Sequence, residues 1–144
     1  MCSYCGCEAE AVISALMADH AAIGDLAYGM GQALDEQRLD RAARLAGELA
    51  EAFARHSLLG EAGLFGRLRE AGVATEEVDR LVADHERLRP ALSAPNATGD
   101  PRRLRRLLLE LTRHAEVEDD DLFPFAMQQL PDYCWAELAP VPTA

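Results

Sequence analysis

The four histidines of this chain are placed as ligands in a helical core would be. The sequence contains only four histidines, which are His20, His56, His85 and His114. Each falls in the apolar stripe of its own segment, as His20 does after Ile13 and Leu16 at helical spacing. A single histidine of this kind is usually a core residue with satisfied hydrogen bonds. Four in one layer would bury several polar groups, each costing about 1–3 kcal/mol if unsatisfied, and a metal ion removes that cost.

The positions of the histidines also predict that they lie at one level. Residue 38 is the midpoint of His20 and His56 and falls in a predicted turn, and the midpoints of the two following pairs also fall in predicted turns. Antiparallel helices rise by about 1.5 Å per residue, so positions symmetric about a turn lie side by side. The sequence therefore predicts that the four imidazoles meet in one layer.

Carboxylates accompany two of the histidines in an internal repeat. His56 and His114 are each followed by an acid five residues on, Glu61 and Asp119, and by Leu-Phe at eight and nine residues. Glu118, four residues after His114, lies about 40° around a helix from it, so both should face the core. The adjacent Asp120 and Asp121 fit a solvated acidic run. Histidine–carboxylate pairs of this kind assemble di-iron sites in bundles, and the donors suit iron, manganese or zinc, with open positions favouring redox iron.

Four predicted helices must position these side chains. They span residues 8–37, 40–70, 75–90 and 101–124, with Asp40 as the N-cap of the second and Asp100 followed by Pro101 starting the fourth. The third should kink or stop near Pro90, and residues 94–99 form a loop. Short connections favour an all-α, up-down-up-down four-helix bundle. We expect one domain over residues 1–144, with a cysteine-rich segment at 1–7 and a tail at 131–144 that adds a short turn on the bundle end.

Composition excludes several classes of function. The net charge of −11 argues against nucleic-acid binding, and the one basic run, at residues 102–106, fits a solvated helix face. No apolar stretch approaches the roughly 20 residues of a membrane span, and the N-terminus does not read as a signal peptide. We therefore expect a cytoplasmic protein, in which cysteines are thiols or ligands more often than disulfides.

Taken together, these motifs resemble the hemerythrin-like (HHE cation-binding) family over nearly the whole chain. The opening Met-Cys-Ser-Tyr-Cys-Gly-Cys is also similar to a subgroup of small actinobacterial hemerythrin-like proteins. The resemblance implies two non-haem irons with carboxylate and oxo bridges, which bind oxygen, sense iron or redox state, or react with peroxide or nitric oxide. It implies as ligands the four histidines, a bridging Glu118 and the matching acid Asp119.

Two positions depart from the family pattern. The family expects a bridging glutamate four residues after the second-helix histidine, where this chain has Gly60, and Glu61 would point about 100° further round a regular helix. A π-bulge at Gly60 would swing Glu61 inward; otherwise the site is lopsided, mononuclear or loaded with another metal. The third helix carries only His85, with Leu81 and Arg89 four residues to either side, which makes reversible oxygen transport less expected than reaction or sensing.

The cysteines raise a separate possibility. Cys2, Cys5 and Cys7 form a C-x-x-C-x-C cluster, and Cys134 should lie at the same end of an up-down-up-down bundle. Four thiolates would form a closed zinc site or a redox cluster. The alternative is a flexible thiol-bearing tail without metal.

The sequence thus predicts a di-iron protein that binds, senses or reacts with oxygen, peroxide or nitric oxide. One alternative is an oxidase or peroxidase with turnover, served by a redox partner. Another is a mononuclear or zinc-containing structural bundle. Asp19 and Asp84, each just before a histidine, fit either partners of the ligands or plain surface acids.

Overall fold

Helices account for nearly all of the residues that the structure, a computed structural model, describes, which are 11–93 and 100–138. Within this part of the chain, short turns lie at residues 36–38 and 72–74. The helices are α1 (Ala11–Asp35), α2 (Leu39–Gly60), α3 (Gly66–Ala71), α4 (Thr75–Ala91), α5 (Pro101–Glu116), α6 (Phe123–Gln129) and α7 (Asp132–Glu137). The long helices pack in a ring, α1 on α2, α2 on α4, α4 on α5 and α5 on α1. The predicted all-α bundle is therefore confirmed.

The described helices form four long rods, which are α1, α2–α3, α4 and α5–α6. Two of these rods contain a π-helical segment. The first, Glu61–Phe65, joins α2 to α3, and the second, Val117–Leu122, joins α5 to α6. The backbone stays right-handed helical through both junctions, so each rod continues without a turn. A π-bulge at Gly60 was one of the alternatives that the sequence left open, and π-helical backbone begins at the next residue, whereas the second segment was not predicted.

The structure confirms one of the two helix starts predicted from capping residues. Asp100 accepts a hydrogen bond from the Arg102 backbone N–H at 3.0 Å and Pro101 is the first helical residue, as predicted. The prediction that Asp40 caps the second helix is wrong. The Arg38 N–H donates to the Ala33 carbonyl at 2.8 Å, and this backbone turn lets α2 begin at Leu39 without a side-chain cap. Asp40 instead lies in the first turn, where its charge suits the positive end of the helix.

The buried apolar side chains form two clusters, one on each side of the level at which the histidines lie. One cluster contains Leu16, Leu64, Leu81 and Phe123, and the other contains Ile23, Phe53, Leu88 and Leu111. On every long rod a histidine falls between the residues of the two clusters. The bundle therefore has two dry apolar halves that enclose one polar layer.

The end of the described chain closes one end of the bundle. Trp135 and Cys134 on α7 are buried in the first apolar cluster, whereas Tyr133 is exposed. The predicted packing of this tail therefore holds for Trp135. None of the described helices has the length and apolar character needed to cross a bilayer.

Candidate metal centre

The four imidazoles meet in one layer and form two pairs. The Nε2 atoms of His20 and His56 are 3.1 Å apart, and those of His85 and His114 are 3.0 Å apart. Across the pairs, the ring centroids of His56 and His85 are 6.0 Å apart. His56, His85 and His114 are buried, and the His20 side chain is only 7% exposed. The level predicted from the sequence spacing is therefore confirmed.

Glu118 lies at the centre of this layer and is completely buried. Its Oε1 contacts Nε2 of His114 and lies 3.3 Å from Nε2 of His56 and 3.6 Å from Nε2 of His85. Its Oε2 lies 3.7 Å from Nε2 of His20 and has no hydrogen-bond partner among the described residues. One donor atom from each of His56, His85, His114 and Glu118 falls within 4.8 Å of the others, so these four residues could hold a metal ion.

Carboxylate oxygens lie near the Nδ1 atoms of three of the imidazoles, on the side away from the paired Nε2 atoms. Asp19 Oδ2 lies 3.3 Å from Nδ1 of His56, and Asp84 Oδ2 lies 3.2 Å from Nδ1 of His114. Asp119 Oδ1 lies 2.8 Å from Nδ1 of His20. A carboxylate that accepts a hydrogen bond from Nδ1–H leaves the lone pair of Nε2 available to a metal ion, which is the usual arrangement around a metal-bound histidine.

The two acids of the repeat lie on this outer side of the layer. Asp119 is hydrogen bonded to Nδ1 of His20, and Glu61 Oε2 is 3.6 Å from Nδ1 of His85, beyond hydrogen-bonding distance. The π segments bring both acids beside the histidines, whereas only Glu118 faces the Nε2 atoms. As metal ligands, Glu61 and Asp119 stay predictions.

Three phenylalanines enclose the imidazoles, a role that the sequence pattern did not reveal. Phe65 stacks on His85 with ring centroids 5.7 Å apart, and Phe123 stacks on His20 at 6.0 Å. Phe53 meets His85 edge-on at 5.5 Å. The Leu-Phe phrase of the repeat was the available signal, because it places equivalent rings at the same distance beyond His56 and His114. These rings belong to the two apolar clusters and pack against the imidazoles from both sides of the layer.

The buried carboxylate of Glu118 and the surrounding imidazoles shift one another's pKa values. Burial alone lowers the pKa of His56, but hydrogen bonds to Asp19 and Glu118 outweigh it and raise the pKa to about 9. The pKa of His114 is raised for the same reasons, with Asp84 as the outer partner. Burial alone raises the pKa of Glu118, but hydrogen bonds from three histidines lower it well below its ordinary value. Without metal, protons on the imidazoles therefore compensate the Glu118 charge.

This proton linkage predicts how the stability of the metal-free protein depends on pH. Because the pKa of His56 is about 9 in the folded state and about 6.5 when unfolded, its contribution is complete below pH 6.5 and is lost as pH rises through 9. We expect the free energy of unfolding in urea to fall between pH 6.5 and 9. Metal-loaded protein should behave oppositely, since ligand nitrogens must be deprotonated.

A His56→Gln variant is the control for this prediction and should flatten the decline in the metal-free protein. A wild-type unfolding free energy that is constant from pH 6.5 to 9 would contradict the linkage. Glu118 makes stability depend on pH in the acidic range instead. Because its pKa is lowered in the fold, its contribution is present above about pH 4.5 and is lost as the pH falls towards its folded pKa.

The donor geometry fits metal ions. Two imidazole nitrogens that bind one ion at about 2.1 Å and at a right angle lie about 3.0 Å apart. Both histidine pairs have this separation, at 3.1 and 3.0 Å. The buried, unpartnered Oε2 of Glu118 supplies an oxygen donor beside the first pair. The layer therefore offers imidazole nitrogens and a carboxylate oxygen that could hold a metal ion.

The predicted thiolate site lies largely outside the described residues. Cys2, Cys5 and Cys7 belong to residues 1–10, which the structure does not describe. Cys134 is buried among apolar side chains and forms no disulfide with any residue that the structure describes. A thiolate site that includes Cys134 would have to form at the α7 end of the bundle, away from the histidine layer.

Comparison with known proteins agrees with the fold and the donor set. A search of curated proteins and a search of solved structures return no match. A sequence model described as the hemerythrin HHE cation binding domain matches residues 11–126, which include all four histidines and Glu118. The bundle, its buried histidine layer and this match over most of the chain lead to one conclusion: the protein belongs to the hemerythrin HHE cation-binding family and is a metal-binding protein, in which His56, His85, His114 and Glu118 could hold the ion.

Proposed function

We propose that the protein holds two non-haem irons, one on each histidine pair with Glu118 between them, and that it binds, senses or reacts with oxygen, peroxide or nitric oxide. The observation that carries this proposal is the pair of Nε2–Nε2 separations on either side of a single buried carboxylate. Each separation suits one ion, and the ring centroids of His56 and His85, one from each pair, are 6.0 Å apart. Glu118 lies between the pairs, with Oε1 near His56, His85 and His114 and Oε2 nearest to His20.

The donor set favours a redox metal with free coordination positions. Each ion would receive two imidazole nitrogens and a carboxylate oxygen from the described residues, which is fewer ligands than iron accepts. Bound iron would supply electron transfer and open positions for a small ligand. The protein supplies the rest: Asp19, Asp84 and Asp119 orient the imidazoles, and the surrounding phenyl rings keep water away.

Small ligands suit the surroundings of this layer better than organic substrates do. A cavity of about 980 Å³ lies between α4 and the second π segment, and Asp84 is its lining residue nearest to the histidines in the hydrogen-bond network. The imidazoles themselves do not line it. Diatomic molecules and peroxide need no such pocket, so we infer binding or sensing rather than turnover of an organic molecule.

A second candidate is a centre with one ion, or with zinc in place of iron. Gly60 favours it, because the repeat places Glu118 four residues after His114 but a glycine four residues after His56. The layer consequently has one central carboxylate among the described residues. A zinc-loaded layer would be structural and colourless.

The test is metal content per chain in freshly purified protein, combined with the visible spectrum before and after dithionite and air. Two irons per chain, with ferric absorption that disappears on reduction and returns in air, are the expected result. Turnover with an added reductant would identify an enzyme, and stoichiometric binding without turnover a sensor or store. One iron, or zinc without visible absorption, would contradict the two-iron proposal.

A further inference from the structure

The two halves of the histidine layer are built from equivalent parts. In one half, His20 on α1 pairs with His56, and Asp119 from the second π segment approaches His20. In the other half, His85 on α4 pairs with His114, and Glu61 from the first π segment approaches His85. Glu61 and Asp119 hold the same position in the internal repeat, five residues after a histidine. The halves can therefore differ in the acid itself, glutamate in one and aspartate in the other, and in the residues around it.

The halves differ at the outer nitrogen of the histidine. Nδ1 of His20 is hydrogen bonded to Asp119 at 2.8 Å. Nδ1 of His85 is buried and has no hydrogen-bond partner among the described residues, although Glu61 Oε2 is only 3.6 Å away. A buried ring nitrogen without a partner costs about 1–3 kcal/mol, so something must hold the Glu61 carboxylate back.

Arg89 is placed to do this. Its guanidinium Nη2 lies 3.6 Å from the same Oε2 of Glu61, so the carboxylate stands between Arg89 and His85. Arg89 follows His85 by four residues on α4, and the equivalent residue after His20 is Gly24, which has no side chain to compete for Asp119. The Nε atom of Arg89 is itself buried without a hydrogen-bond partner in the described part of the chain.

We propose that Arg89 is a positioning residue that withholds Glu61 from His85, so that the ion on the His85–His114 pair is bound more weakly than the ion on the His20–His56 pair. The proposal rests on the two-ion centre proposed above. A hydrogen bond from Nδ1 to a carboxylate raises the basicity of the metal-binding nitrogen and fixes the ring, and its loss typically weakens metal binding by about 10–100-fold. His20 has this support and His85 lacks it.

The experiment titrates metal-free protein with cobalt(II) against a chelator and measures how many ions bind and with what affinities. Wild-type protein should bind two ions with affinities that differ by about tenfold or more. Arg89→Leu should tighten the weaker site by about tenfold, because Glu61 is then free to hydrogen bond to His85. The double variant with Glu61→Gln should lose this gain, and Arg89→Lys should retain the wild-type difference.

Two control variants test whether the change in affinity is specific to Arg89 and which histidine pair is the tighter site. Arg80→Leu, also on α4, removes an exposed arginine that pairs with Glu77 and should leave both affinities unchanged. Asp119→Asn should weaken the tighter site alone, which identifies it as the His20–His56 pair.

The outcomes separate this inference from the proposed function. Two ions in every variant, with a weaker site that Arg89→Leu leaves unchanged or loosens, would overturn the role of Arg89 and keep the two-ion centre. One ion in the wild type and two in Arg89→Leu would support that role and show that Arg89 suppresses the second ion. One ion in both would overturn the two proposals together.

Discussion

Replacing Glu118 with glutamine is expected to lower the affinity of the layer for metal by about 100-fold or more. The charged oxygens of Glu118 face the Nε2 atoms of both histidine pairs, and an interaction of about 3 kcal/mol with a charged group corresponds to that factor. The amide keeps the shape of the side chain but removes its charge. Chelator competition, with ions counted per chain, measures the loss, and the folded fraction is checked by circular dichroism.

Glu116→Gln is the matched control for this variant. Glu116 is the last residue of α5, two residues before Glu118, and is exposed, so its replacement should leave metal affinity unchanged. If Glu118→Gln retains wild-type stoichiometry and affinity, the central carboxylate is not a ligand and the two-ion arrangement fails. If both variants weaken binding equally, the effect is one of overall charge.

Phe53→Ala is expected to destabilise the protein by about 3–5 kcal/mol, the range for removing a buried phenylalanine ring. Phe53 is 1% exposed, and its ring lies 5.5 Å from the ring of His85 and 5.8 Å from that of His114. Its removal leaves a cavity beside polar groups, which water can then enter. Guanidinium unfolding of the metal-free protein measures the change in free energy.

Phe125→Ala provides the comparison, since that ring is 41% exposed and should contribute much less. A loss below about 1 kcal/mol for Phe53→Ala would mean that the ring does not support the layer. We also expect this variant to load metal less tightly, because water in the layer competes for the imidazole nitrogens.

The level of the histidine layer could be predicted from sequence because antiparallel geometry leaves little freedom. Once the turns are placed, a rise of about 1.5 Å per residue determines which positions lie side by side. Glu118 could be predicted for a similar reason, since four residues along a helix return to nearly the same face. Both predictions use only the spacing of residues within one chain.

The partners of the outer nitrogens could not be predicted in this way. Whether Asp19 reaches His56 depends on how two neighbouring helices rotate about their axes, which the packing of many side chains determines. The sequence therefore left Asp19 and Asp84 equally compatible with surface acids. The structure places both at Nδ1 atoms.

Residue spacing also could not predict both π segments. The first was a hypothesis of the sequence analysis, because Gly60 stands where an acid was expected and Glu61 follows it. In the second rod Glu118 already stands four residues after His114, so nothing in the spacing indicated a change of helical register. The structure nevertheless has π-helical backbone from Val117 to Leu122.

These segments also limit how the chain can change in length. A π segment accommodates one more residue than an ordinary α-helical turn, so the extra residue does not turn the helix beyond it. Deleting one residue there would restore α-helical hydrogen bonding and leave Phe65 or Phe123 on the side of its imidazole, whereas a deletion in an α-helical part between the histidine and the phenylalanine would turn the phenylalanine by about 100°. One-residue deletions should therefore be less damaging inside the π segments than in the α-helical turns beside them.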